Sequence, residues 1–391
     1  MFSDLHAHYP MRVLTGVDPG STSELMASPE QPTLGDRVRA FVLRFANRVG
    51  NFPSWDGTYR IDVEKLREGK VSLAMSVLLR PFDEMDLSVP YGSPPGTDDF
   101  ANLMKDLEAV EAEVAGHDPA AIRVVHNGAE LEAASAAGAT ALVHVVEGGC
   151  HIGNSDEEIA AHCAELKKRG VGYVTVAHLF YRQVATNANA VPFLPDGLYN
   201  LVFPQPHDDH VTPRGETLIK ALTANRVLID LSHMSPEAIA ETLDLMDEAD
   251  PQRTMPVLST HAGYRFGKQR YMHDEETLKR IAERRGVVGL IMAQHQLNDG
   301  ILPKKQRTET LEESLPIVFR HIDEIARVTG GYDHVGIGSD LDGFIKPTLG
   351  GIENISHLAL LEQPLRDRYG DADAEKIMGK NARRVLGEAW S

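Results

Sequence analysis

Cysteine is nearly missing from this chain of 391 residues, with only Cys150 and Cys163 present. They form no Cys-x-x-Cys pair, so neither a disulfide framework nor a cysteine zinc site is indicated, and both read as small buried thiols. Positive charge is also short: 39 Lys+Arg stand against 57 Asp+Glu, a formal charge of −18. Without a basic cluster, no nucleic acid and no anionic membrane surface is expected as a partner, whereas an acidic field suits retention of divalent cations. Long uncharged apolar runs are missing too. Nothing approaches membrane-spanning length, and the first residues do not form a basic region followed by an apolar segment and cleavage site, so the expected location is cytoplasmic.

What is present is enough apolar material for a large core, 42% of the residues. The length is generous for an ordinary domain but within range for a barrel carrying insertions, and one domain over residues 1–391 is expected. The chain is organised around Asp4-Leu5-His6-Ala7-His8. A short strand there puts His6 and His8 on the same face, where two imidazoles can share one metal. By itself a His-x-His is weak evidence, because satisfied histidines also produce it. The arrangement recurs, however: the apolar runs Leu142 to Glu147, Val227 to His233, Met255 to His261 and Val335 to Asp340 also end in His, Glu or Asp.

Between these runs the sequence alternates mainly with helical patterns. Val71 to Leu78 is a nearly continuous apolar run, as expected of a parallel strand covered on both faces. Residues 10–60 form a long excursion above the first strand, with a helical patch at Arg37 to Asn47 where Val38, Phe41, Val42 and Phe45 recur at helical spacing. The sharper reading of that excursion is a wall of a substrate pocket. Glu147 is followed by Gly148-Gly149, which lets backbone approach closely and leaves the carboxylate free to bridge two cations. His144, inside the same run, reads as a hydrogen-bonded core histidine. Ser155 with Glu158 fits a capping box, and Ser235-Pro236 fits a helix start. His207, Asp208, Asp209 and His210 lie in a polar loop with no framework to fix a geometry and read as solvated surface.

Strands beginning near residues 2, 71, 141, 172, 226, 255, 286 and 335 describe a (β/α)8 TIM barrel with long loops at its C-terminal face and extra C-terminal helices. A doubly wound sheet is the alternative fold. In the barrel, reactive residues belong at the carboxyl ends of strands, where His6, His8, Glu147, His178, His233, His261 and Asp340 would meet. Histidines plus one carboxylate, with no thiolate, favour two Zn2+ ions bridged by Glu147, although Mn2+, Fe2+ or Co2+ fits the same ligands.

Four elements in this order, Glu147-Gly148-Gly149, Ile229 to His233, Pro256 to His261 and Gly336-Ile337-Gly338-Ser339-Asp340-Leu341-Asp342-Gly343, resemble the membrane (renal) dipeptidase family of the amidohydrolase superfamily. The similarity extends from residue 4 to the closing Gly379 to Leu386. It implies a metal-dependent dipeptidase acting on free dipeptides, including those with a C-terminal D-residue, and it suggests a homodimer. It also implies that Glu147 bridges two zinc ions, with His6 and His8 on one and His233 and His261 on the other. Asp340 would be the proton-transfer carboxylate, His178 would touch the scissile group, and Arg270 would hold the substrate carboxylate.

Two cations acidify a bridging water enough to supply hydroxide near neutral pH, which is the chemistry such a centre brings to an amide. This chain departs from the family pattern in having His8 where Asp is common, which leaves the centre one unit more positive. Cys150 also precedes His151 after the glycines, and residues 179–213 are longer than usual; both put substrate choice in question more than chemistry. The alternatives are another amidohydrolase acting on N-acyl amino acids or lactones, a PHP-type metal-dependent phosphoesterase, and a non-catalytic metal-binding protein.

Overall fold

Eight parallel strands close on themselves in the computed structural model, which describes every residue except 15–31, 51–56, 81–83, 85–88, 95, 97, 192, 209 and 304–305. The strands are β1 (Phe2–Ala7), β2 (Val71–Leu78), β3 (Ile122–Val124), β4 (Thr140–Glu147), β5 (Tyr173–Thr175), β6 (Leu228–Asp230), β7 (Val257–Ala262), β8 (Val287–Leu290) and β9 (Val335–Ile337). All the pairings are parallel, and β2 pairs with β4 from Leu73↔Ala141 to Leu78↔Val146, which closes the ring; β3 is appended outside it on β4. The fold is thus the expected (β/α)8 barrel, and the doubly wound alternative is excluded by closure.

Strand alternation sorts the residues. Leu73, Met75 and Val77 of β2 and Val143 and Val145 of β4 fill the barrel interior with Leu5, Tyr173, Leu228, Leu258 and Val287, all essentially without solvent exposure. Residues in the other phase face the surrounding helices. The C-terminal helix Asn381–Trp390 turns Val385 and Leu386 onto the interior cluster and plugs the end of the barrel opposite the site. His144, in the outward phase of β4, is buried as expected, but neither ring nitrogen has a hydrogen-bond partner, and burial pushes its pKa down to about 4.

The helix starts lie where the sequence puts them. Ser155 accepts from the Glu158 N–H at the head of the helix Asp156–Lys168, and Ser235 accepts from Ala238 N–H with Pro236 at the first position. Glu158, however, caps Asn154 N–H rather than Ser155. His207 and Asp208 are exposed, as expected of solvated loop residues, while Asp209 lies outside the described residues. Among the described residues no helix is long and apolar enough to cross a membrane.

Two buried aspartates fasten neighbouring strand ends in the same way. Asp4 in β1 accepts from its own His6 N–H at 3.0 Å and from the N–H and hydroxyl of Ser339 beyond β9. Asp230 in β6 accepts from Ser232 N–H at 3.1 Å and from the N–H and hydroxyl of Thr260 in β7, both at 2.8 Å. Thr175 of β5 adds its hydroxyl at 2.7 Å. Gly338 permits the close approach beside Thr260, since a Cβ there would stand 1.6 Å from the Thr260 carbonyl oxygen.

The Asp230 clasp is a stability determinant. Asp230→Ala leaves the Ser232 and Thr260 N–H groups buried without acceptors, at about 1–3 kcal/mol each. Urea unfolding of the variant is expected to show a loss of roughly 3–5 kcal/mol, well above that of an ordinary surface substitution.

Candidate metal centre

Each sequence-predicted ligand stands at or just beyond the carboxyl end of a barrel strand. His6 lies in β1 with His8 one residue past it; Glu147 ends β4, and His261 lies in β7. His178, His233 and Asp340 stand on the turns after β5, β6 and β9, and the last two occupy the left-handed region at φ 66 and 57°. Such a backbone is uncommon for residues other than glycine and least so for His, Asp and Asn. The turns hold it: Asp340 N–H donates to His6 C=O at 2.9 Å, and Ala188 N–H to His233 C=O at 2.6 Å. After Glu147, Gly148 takes φ 103°, and a Cβ on Gly149 would come 2.8 Å from Val176 O, so both glycines are required by the close approach anticipated for them.

The result is a buried carboxylate ringed by imidazoles. Glu147 Oε1 lies 3.2 Å from His6 Nε2, 3.4 Å from His233 Nε2 and 3.7 Å from His261 Nε2. Oε2 lies 3.7 Å from His8 Nε2 and 3.5 Å from His178 Nε2. Neither oxygen of Glu147 has a hydrogen-bond partner, although the residue is 1% exposed. Burial opposes its ionisation, but His178 and His6 outweigh that and hold its carboxyl well below the usual range.

Hydrogen bonds behind the rings decide which nitrogen faces Glu147. The Tyr173 hydroxyl donates to Leu5 C=O at 2.9 Å, so its oxygen accepts from His6 Nδ1–H at 2.8 Å. Thr260 Oγ1 donates to Asp230 and accepts from His261 Nδ1–H at 2.8 Å. In its neutral form each ring is therefore held in the tautomer that presents an Nε2 lone pair. His261 Nε2 and His233 Nε2 meet at 2.9 Å. Burial, with His6 and His233 nearby, pushes the His261 pKa well below its ordinary value. Lone pairs of this kind facing a bare carboxylate repel unless a cation lies among them, so the donor set fits divalent metal. Three groups have ligand atoms close enough to share one ion: His6-His8-Glu147, Glu147-His178-His233 and His6-His261-Asp340. The first matches the expected grouping of His6 with His8. In the second, His178 stands where His261 was expected.

Asp340 Oδ1 is 3.0 Å from His8 Nε2 and 3.9 Å from His6 Nε2. His178 bonds Glu84 through Nδ1, and the two carboxylates Glu147 and Glu84 raise its pKa to about 9 against the opposing effect of burial. Glu84 is 2% exposed and also accepts from Phe180 N–H at 2.8 Å. Sequence reasoning missed it because no periodicity or motif marks its stretch of the sequence. Arg270 is not brought to the centre: it is half-exposed, pairs with Glu237 and is absent from the wall of the cleft. Its neighbour Tyr271 does line the cleft, with its hydroxyl donating to His261 C=O at 3.0 Å. The helix Leu34–Gly50 lines the same cleft, as expected of the excursion after the first strand.

Residues 38–390 match the profile of the membrane dipeptidase family, peptidase family M19. The chain belongs to that family. As a membrane dipeptidase family member it is a metallopeptidase, a hydrolase of peptide bonds. It is 25% identical over 345 residues to dipeptidase tcpJ of Claviceps purpurea, covering 86% of this chain and 71% of the relative. It is also 25% identical over 301 residues to an uncharacterized protein in the pqqA 5' region of Klebsiella pneumoniae, covering 76% and 99%. Among solved structures, a metallopeptidase from Rhodobacter sphaeroides, liganded with a phosphinate mimic of the dipeptide L-Ala-D-Ala, superposes with TM-score 0.68 at 20% identity, covering 100% and 99%. An amidohydrolase from Pseudomonas aeruginosa gives TM-score 0.64 at 19% identity, covering 85% and 94%. At these identities the structural matches speak for the shared fold.

Cation binding should therefore be visible as stability. For chelator-treated protein, a divalent cation at about a thousandfold excess over Kd contributes about 4 kcal/mol of linkage and raises Tm. The rise is expected to vanish in Glu147→Ala, read by differential scanning fluorimetry. Uptake should also release protons: Glu147 and Asp340 raise the His6 pKa against burial, and the ligand form is neutral. Affinity is thus expected to strengthen with rising pH until His6 is fully deprotonated, as calorimetry in buffers of different ionisation enthalpy would record.

Proposed function

We propose that this family member is a dinuclear dipeptidase that cleaves the peptide bond of free dipeptides, including those with a C-terminal D-residue. The observation that carries the reading is the unpartnered Glu147 carboxylate enclosed by the imidazoles of His6, His8, His178, His233 and His261, with Asp340 on the same cleft. In this reading His6 and His8 would hold one Zn2+ ion and His233 and His261 the other, with the Glu147 carboxylate available to both. Bound there, the ions acidify a water and polarise the amide carbonyl.

The remaining work falls to the chain's own residues. Asp340 faces the cleft beside His8 and takes the proton of the attacking water, then returns it to the departing amine nitrogen. His178, kept cationic by Glu84 behind it, donates from Nε2 to the carbonyl oxygen as negative charge develops there. Arg270 holds the substrate carboxylate by exchanging Glu237 for it, a bidentate pairing that suits a guanidinium. The D-residue is supported by the phosphinate mimic of L-Ala-D-Ala seen in the Rhodobacter sphaeroides relative.

Turnover of L,L- and L,D-dipeptides is expected to disappear on chelation and return with Zn2+; a metal-loaded preparation inactive across a broad panel would overturn the reading. Asp340→Asn should keep the cation-dependent rise in Tm while kcat drops by about a hundredfold or more, the scale of general acid–base catalysis. A fully active variant would remove Asp340 from the mechanism.

A further inference from the structure

Above the polar floor, the cleft that holds Glu147, His178 and Asp340 changes character. The space between its walls, with the open mouth and the solvent in it included, is about 700 Å³. One wall is the helix Leu34–Gly50, which turns Leu43, Ala46 and Val49 toward the cleft at the spacing of a single helical face. Phe180 and Phe344 stand with them, and Leu43 is fixed by packing against Phe180, Val191, Tyr199 and Phe203. No Lys or Arg occurs among the described residues of the wall. Beyond the floor residues, Gln296 and Tyr271 are the side chains with hydrogen-bonding capacity among the described residues of the wall, and the Tyr271 hydroxyl donates to His261 C=O.

The apolar surface continues to the rim. Phe193 lines the mouth, and its ring meets Phe45 edge to face at 4.9 Å. Phe45 and its stacked neighbour Phe41 are 44% and 70% exposed. The stripe on this helix thus splits, with Val42 and Leu43 packed inward and the two phenylalanines left beside the opening.

An apolar wall that reaches a reactive floor stabilises a ligand in proportion to the apolar surface it covers. We infer that the site selects dipeptides carrying a bulky apolar side chain, aromatic or branched aliphatic, and that Leu43, Ala46, Val49 and Phe344 set this preference. The inference rests on the dipeptidase reading and names its substrate class. Small or charged dipeptides leave the wall wet or bring a charge against it without a counter-ion, so they are poorer substrates.

The test uses the Zn2+-loaded full chain with two series, Ala-Xaa and Xaa-Ala, where Xaa is Ala, Val, Leu, Phe, Asp or Lys. In one or both series kcat/KM is expected to rise by up to about fourfold per added methylene, mostly through KM, and at least tenfold from Ala to Leu or Phe. Ala46→Trp, at a half-buried helix position on the wall, adds bulk to the cleft. It should bring the ratio of Phe to Ala substrates close to one, with Tm measured to confirm folding. If all substrates are cleaved at similar kcat/KM, or the small and charged ones fastest, the inference falls while the dipeptidase reading stands. If none is cleaved, the dipeptidase reading falls, and calorimetry with N-acetyl-phenylalaninamide and N-acetyl-alaninamide decides the inference. Tighter binding of the aromatic amide, abolished by Ala46→Trp, upholds it. Equal binding, or none of either, overturns it.

Discussion

A carboxylate buried to 1% exposure with neither oxygen hydrogen-bonded is the constraint around which this barrel is arranged. An isolated charge in such a place is costly, and the structure answers by pointing imidazoles at Glu147 from the ends of four other strands or the turns beyond them. Those imidazoles are not free to act as its hydrogen-bond donors throughout. Tyr173 and Thr260 claim the Nδ1 protons of His6 and His261 and turn their lone pairs toward the carboxylate. The arrangement carries an excess of electron pairs that a divalent cation relieves, which ties the folded geometry to the family's metallopeptidase chemistry.

The lone pairs can be presented this way because two aspartates away from the cleft hold the backbone beneath them. Asp4 and Asp230 each accept from an N–H two residues ahead and from an N–H and hydroxyl on a neighbouring strand end. One clasp sets β1 against the segment carrying Asp340, and the other sets β6 against β7, which carries His261. The same Thr260 hydroxyl that completes the second clasp orients His261. Strand registry, ring tautomer and metal fit are therefore one hydrogen-bonded system, and a substitution at its base is felt at its top. Over this rigid floor the helix Leu34–Gly50 supplies an apolar wall, so reactivity and selectivity arise from different parts of the chain, as is common in barrels with long loops.

Much of the centre was legible because strand periodicity and chemistry coincide at the same positions. His6, His8, Glu147, His233, His261 and Asp340 each follow an apolar run short enough to be a strand, and parallel strands in a ring present their carboxyl ends together. The pairing of Ser235 with Pro236, and the closing helix with Val385 and Leu386, were legible for equally local reasons. Glu84 was not, since nothing near it in sequence marks it and its role exists only through contact with His178. His144 was expected to find a hydrogen bond and is instead buried with neither ring nitrogen bonded. The sequence could place Arg270 in the loop after β7 but not foresee that Glu237, from the helix after β6, would claim it.

By itself, then, the order of residues determined the barrel, the set of side chains that could hold a metal and the excursion that walls the cleft, because each follows from spacing within one strand, turn or helix. Only tertiary structure decided which nitrogens face Glu147, which imidazoles can share an ion, where Arg270 points and that the cleft is apolar above its floor. Those properties depend on distances between segments far apart in the chain, set by how β1, β4, β6, β7 and β9 pack in the closed ring and by the hydrogen bonds that fasten them.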